Sequence, residues 1–175
     1  MGLHYENLDD ETRGLMIEEI DLDATARGLY ISNYLNEAGA ELWPGLLRQA
    51  AESGTDDSLA RALQENRAFK NQVERRKPTG GFTMVAVPVT AAQTLSESQF
   101  NMYYMRALGR RAIAEGRHLT VYRAKAVERP RPESEQMIGA ELDPQRVLDV
   151  LRATKGVEPE IGIPMPNSGL CIRRS

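Results

Sequence analysis

The chain has 175 residues, 41% apolar and 27% charged, with a formal net charge of −3. That length suits one compact domain able to bury roughly two thirds of its unfolded surface, and the balance excludes wholesale disorder. The mild charge excludes a global pull on nucleic acid and implies no acidic partner.

A lone cysteine, Cys171, closes no internal disulfide, so nothing marks a secreted scaffold. The opening Met1-Gly2-Leu3-His4-Tyr5-Glu6 lacks the basic and apolar regions of a signal peptide. No apolar run approaches the ~18 residues of a membrane span. The expected location is the cytoplasm, or something assembled there.

Asn7 or Asp9 opens a first helix to Asp23, with acidic Asp9, Asp10 and Glu11 near its N-terminus. Gly28–Ser32 reads as a short extended stretch. Asn36 caps a second helix to about Ser53, in which Pro44 argues for a later start near Trp43, and Gly54 stops it. Asp56 or Asp57 starts a third helix that the apolar spacing carries toward Val73, with Glu74-Arg75-Arg76-Lys77 as its basic end. Pro78-Thr79-Gly80-Gly81 is a turn, and Phe82–Val87, closed by Pro88, is the best strand.

Ser96 with Gln99 matches a capping box for the longest helix, ending before Gly116, with Phe100, Tyr103, Tyr104, Ala107, Leu108 and Ile113 on its apolar face. His118–Ala124 is a second strand, and strand, helix and strand together suggest a two-layer unit. Val127–Glu135 reads as an exposed connection. Asp143 caps and Pro144 starts the last helix. Beyond Gly156, Pro159, Pro164 and Pro166 punctuate a weakly patterned tail. The expected fold is α+β: a small sheet packed with several helices, with extended N- and C-terminal segments. The expected division is one domain over 1–155 and an extended C-terminal arm over 156–175.

Chemistry-bearing constellations are few. His4, His118 and Cys171 have no metal-ligand spacing, so neither a metal nor another cofactor is expected. There is no nucleophile elbow, and Pro78–Gly81 lacks the Lys and Ser/Thr of a phosphate loop. Two basic clusters, Arg75-Arg76-Lys77 and Arg110-Arg111 with Arg117, could bind phosphate; cations near a helix C-terminus are also explained by stabilisation of the helix. An enzymatic site would have to assemble from Arg123, Glu133, Glu135 and His118. Cys171 reads first as a small packed hydrophobe. The Pro-rich tail, with Pro164, Pro166, Asn167, Cys171, Arg173 and Arg174, is the candidate subunit interface.

The second half carries a resemblance. Phe100-Asn101, Tyr103-Tyr104 and Arg106 precede Val121-Tyr122-Arg123-Ala124. Pro130-Arg131-Pro132-Glu133-Ser134, Ile138-Gly139, and finally Pro164, Pro166-Asn167-Ser168-Gly169, Cys171 and Arg173 follow. This order resembles small proteins of phages and prophages, and the last stretch resembles the C-terminal end of phage minor head (head-morphogenesis) proteins. Ser134 and Ser168 stand where that family tends to have His and Cys, so the resemblance carries no metal or thiol role to them. It implies a virion structural protein of the head, its decoration or the head–tail connector region, assembled in the host cytoplasm. The implied partners are other virion proteins and copies of itself, with nucleic acid as an alternative and no membrane. A small nucleic-acid-binding or regulatory protein is the second reading, and an enzyme of unknown class the third.

Overall fold

The computed structural model describes residues 1–157 and 162–175. Six helices and two small antiparallel sheets make an α+β fold. The helices are α1 (Asp10–Thr25), α2 (Glu37–Ser53), α3 (Asp56–Glu65), α4 (Ala91–Glu115), α5 (Pro132–Met137) and α6 (Pro144–Thr154). One sheet is the hairpin β1 (Gln72–Arg76) and β2 (Phe82–Ala86). The other has the order β4-β3-β5, from β3 (Leu119–Arg123), β4 (Glu141–Leu142) and β5 (Leu170–Arg174).

Helix α4 is the axis of the fold. Its 25 residues span about 37 Å at 1.5 Å per residue. Phe100, Met102, Tyr103, Tyr104, Met105, Ala107 and Leu108 are all fully buried, which one amphipathic stripe cannot achieve. A helix buried all round needs neighbours on every side, and α1, α3, α6 and β5 supply them. The helix starts at Ala91, five residues before the Ser96–Gln99 capping box. The Ala91 N–H closes a turn onto the Pro88 carbonyl, and Ser96 lies buried inside the helix. Gly116, in the left-handed conformation at φ 65°, ends it as expected.

Local capping fixes the other helices. Asp9, Asn36, Thr55 and Asp143 each accept a first-turn backbone N–H through the side chain. Pro44 sits inside α2 without delaying its start, because the Asn36 cap secures the first turn against Gly39. A Cβ on Gly39 would lie 2.1 Å from the Ala68 carbonyl oxygen, so only glycine lets α2 approach this closely.

Three expectations are corrected. The third helix stops at Glu65, because Arg67 turns the chain at φ 50° and Ala68 and Phe69 pair with the Leu35–Asn36 segment. Val73 and the basic run therefore lie on β1. The expected strand Phe82–Val87 pairs with β1 and not with β3, so the two-layer unit of strand, helix and strand is not formed. The stretch Gly28–Ser32 forms no strand.

The tail is the largest correction. Leu170, Cys171 and Ile172 are fully buried, and β5 pairs with β3 from Leu119↔Arg174 to Arg123↔Leu170. Residues 162–175 complete the sheet and pack within the body, so this part of the expected extended arm docks on its own domain; Pro159 lies outside the described residues. The N-terminal segment docks on the same sheet. The His4 N–H donates to the Ala124 carbonyl at 2.9 Å, and the Arg174 N–H donates to Asn7 Oδ1 at 3.1 Å.

The helices are joined by a buried ionic network. The Arg106 side chain is 0% exposed and reaches Glu19 at 2.6 Å and Asp23 at 2.6 Å, both on α1. Tyr103 Oη donates to Asp23 at 2.8 Å, while Arg152 and Lys155, at the end of α6, meet Glu19 at 2.5 Å and Asp23 at 2.7 Å. Burial raises the pKa of both carboxyls, but the bonds from Arg152 and Arg106 to Glu19, and from Arg106, Lys155 and Tyr103 to Asp23, prevail and hold both below the carboxylate range.

Removing one member strands a buried charge, which costs about 3–5 kcal/mol. Arg106→Met should therefore lower unfolding stability by that amount in urea melts. Since folded-state carboxyl pKa values lie below unfolded ones, their contribution is complete above the unfolded pKa of about 4. It is lost as pH falls through the folded values, so a pH series of melts should show loss of stability below about pH 4 that is smaller in the variant. Truncation after Gly156 should abolish the near-UV CD signal of the folded domain, because it removes the buried residues of β5.

Candidate interaction site: the basic hairpin

The hairpin β1–β2 has no buried residue: Val73 and Val85 are half-buried and the rest of its strands exposed. It pairs from Gln72↔Ala86 to Arg76↔Phe82, and neither outer edge has a strand partner among the described residues. Two successive glycines in the left-handed half of backbone space, Gly80 at φ 94° and Gly81 at φ 75°, close its tip. Strand alternation places Arg76, Phe82, Glu74 and Met84 on one face, and Arg75 and Thr83 with the half-buried Val73–Val85 pair on the other.

Phe82 is 62% and Met84 56% exposed, and Val89, just beyond, is 96% exposed. Arg75, Arg76 and Lys77 are exposed beside them. Phe82 and Met84 thus share their face with Arg76 and Glu74, while Arg75 lies on the other face, on an element that in isolation is marginally stable in water. Uncovered edges of this kind are templates for pairing with another chain.

The second basic cluster has a different role. Arg111 is 6% exposed, holds both Asp9 oxygens at 2.7 and 2.8 Å and reaches Glu11 at 2.6 Å. Although burial alone would raise it, the Arg111 bond and the Thr12 N–H take the Asp9 carboxyl down to about 2. Arg110 pairs with Glu18 at 2.7 Å and Glu19 at 3.4 Å. Arg117 is exposed and lies 3.7 Å from Glu115. Arg110 and Arg111 are thus committed to joining α4 to α1, leaving the hairpin as the accessible basic cluster of the two.

The expected tail interface also divides. Pro164, Pro166 and Cys171 are buried in this chain's own body and present no surface to a neighbour. Cys171 Sγ donates to Asn101 Oδ1 at 2.9 Å, and Asn101 Nδ2 in turn donates to the Pro166 and Leu170 carbonyls. Burial pushes the thiol pKa well up, which disfavours the thiolate that would act as a nucleophile. Arg173 pairs with Glu6 and stacks over Tyr122, and Arg174 pairs with Glu115.

Asn167 stays exposed, between two cavities that it helps to line. One, of about 320 Å³, has Tyr30, Tyr34, Thr94, Ser98 and Gln99 in its wall and, among the described residues, no Asp, Glu, Lys, Arg or His. The other, of about 530 Å³, is lined by Arg129, Arg131, Glu133 and Ser134. The enzymatic set is not assembled: Arg123 bonds Glu135 at one end of β3, Glu133 is exposed, and His118 precedes the opposite end of the strand. No cluster of three metal-ligating side chains occurs among the described residues. No helix among them is long and apolar enough to cross a membrane.

Sequence reasoning singled out Arg75, Arg76 and Lys77 but assigned them to a helix end. The Pro78-Thr79-Gly80-Gly81 turn placed directly before the strand Phe82–Ala86 is the signal for a hairpin. Comparison with family models, curated proteins and solved structures finds no match.

With Cys171 enclosed and its pKa raised, a thiol reagent such as DTNB should label the native protein at least 100-fold more slowly than the urea-unfolded chain. Rapid native labelling would mean that β5 opens easily from the sheet.

Proposed function

We propose that this chain is a structural assembly protein of a phage particle, in the head or head–tail connector region, acting through subunit contacts with no chemistry of its own. The observation that carries the reading is the hairpin: exposed Phe82 and Met84, unpaired edges and clustered cations on an element that gains stability when something covers it. The resemblance of Pro130–Ser134 and the closing segment to phage minor head proteins supports the same class.

A second reading uses the same residues. Arg75, Arg76 and Lys77 could contact nucleic-acid phosphates, with affinity falling steeply with salt. Two of the six cations expected for that role, Arg110 and Arg111, are engaged with carboxylates on α1, and the exposed Phe82 and Met84 add nothing to a phosphate contact.

The test is quantitative mass spectrometry of particles pelleted from a lysate of the source culture, with limited proteolysis of the same material. The expected result is a fixed ratio of this chain to the major shell protein, with cleavage at Arg75, Arg76 and Lys77 suppressed in particles relative to free protein. Absence from particles removes the reading. A salt-sensitive gel shift of the free chain, lost in Arg75→Glu/Arg76→Glu, would transfer the function to nucleic-acid binding.

A further inference from the structure

The cavity of about 320 Å³ beside the first half of α4 takes no part in either reading above. Its volume lies near the lower end of the ~300–1,000 Å³ span of small-molecule sites. Ala91, Thr94, Leu95 and Ser98 recur at helical spacing, so one face of α4 forms one side of it. Tyr30 and Tyr34 come from the segment between α1 and α2. That segment is pinned through its backbone. Trp43 Nε1 donates to the Tyr30 carbonyl at 2.9 Å, the Tyr34 N–H to Ser32 Oγ at 3.3 Å, and the Lys70 N–H to the Tyr34 carbonyl at 2.9 Å. Gly156, at φ 71°, brings the end of α6 against α4: a Cβ there would lie 2.7 Å from Met102 Cγ.

Among the described residues the lining is polar without being charged. Gln99 is 1% exposed, and its Nε2 donates to the Lys155 carbonyl at 3.3 Å. That bond fixes which way the amide points and leaves Oε1 buried with no donor. A buried acceptor in this state bears its full desolvation cost until a donor reaches it. The hydroxyls of Tyr30, Tyr34, Thr94 and Ser98 also make no hydrogen bond among the described residues.

We propose that this cavity binds a neutral sugar ring, one hydroxyl of which donates to Gln99 Oε1 while others exchange hydrogen bonds with Thr94 and Ser98. A charged ligand would lose its water beside a lining that offers no opposite charge. A purely apolar ligand would leave Gln99 Oε1 unmet. A hydroxyl both donates and accepts, as do the hydroxyls it would face. A sugar ring carries several on a rigid frame, so little conformational freedom is lost on binding, and its C–H face suits the rings of Tyr30 and Tyr34. The inference is independent of the assembly reading, since it uses neither the hairpin nor a partner chain.

The experiment is saturation-transfer difference NMR of the full chain with D-glucose, D-galactose and N-acetyl-D-glucosamine, with glucose 6-phosphate and adenosine as controls. At least one sugar should give saturable transfer with a Kd below ~10 mM, and both controls should bind at least about 10-fold more weakly. Gln99→Met keeps the bulk of the side chain and removes the acceptor, so it should raise that Kd at least about 10-fold. Because Gln99 is buried, its variant is checked by a CD melt. Thr94→Trp, at an exposed position, fills the cavity and should abolish transfer while leaving the melt unchanged.

No saturable transfer from any of the three sugars at ~50 mM would overturn the inference. So would sugar binding that survives Thr94→Trp or a folded Gln99→Met, and so would tighter binding of glucose 6-phosphate or adenosine than of every sugar.

Discussion

A guanidinium with no solvent contact holds this fold in register. Arg106 lies at the centre of α4, where the desolvation of a charge costs several kcal/mol unless every N–H finds an acceptor. Glu19 and Asp23 provide those acceptors from one face of α1, four residues apart, and Arg152 and Lys155 bring the end of α6 to the same two carboxylates. Three helices distant in sequence are thereby fixed to one another. Apolar packing alone tolerates sliding by a fraction of a turn; a buried charge with fixed donors does not.

The surrounding packing follows from that arrangement. With α1 and α6 set on α4, the remaining sides of α4 are closed by α3 and by the sheet, and Tyr5 tilts against Phe100 and Tyr104 to seal the join with the N-terminal segment. The buried charges Glu19, Asp23 and Arg106 are paired within the body, while Phe82, Met84 and Val89 stay exposed on and just beyond the hairpin. An ion-linked body that leaves a basic and partly apolar hairpin exposed is the physical basis of the assembly proposal.

What was legible in the sequence is what short-range chemistry decides. Asn36 and Asp143 announce their helices through caps, Gly116 its stop and Pro78–Gly81 its turn. What was not legible depended on distant partners or unusual backbone. Arg67 in a left-handed conformation gives no compositional signal, so the third helix reads as running on through Val73. The Pro-rich composition of 156–175 reads as an extended arm without naming what it docks on, because its partner, β3, lies far away in the chain. Arg110 and Arg111 looked like Arg75 and Arg76 by composition alone; only the proximity of α1 separates cations already paired from cations on the surface.

The placement of β5 bears on how the molecule comes to be made. The three-stranded sheet has β3 in the middle, and one of its neighbours is drawn from residues 170–174. On a ribosome, helices α1 to α4 emerge well before that strand exists, so the growing chain must hold α4 with one flank bare. Contacts of such long sequence separation form late and slowly, and an unpaired edge of β3 is open to any other strand in the meantime. Glu19, Asp23 and Arg106 all lie ahead of that strand, so the ion pairs that join α1 to α4 need nothing from β5 to form.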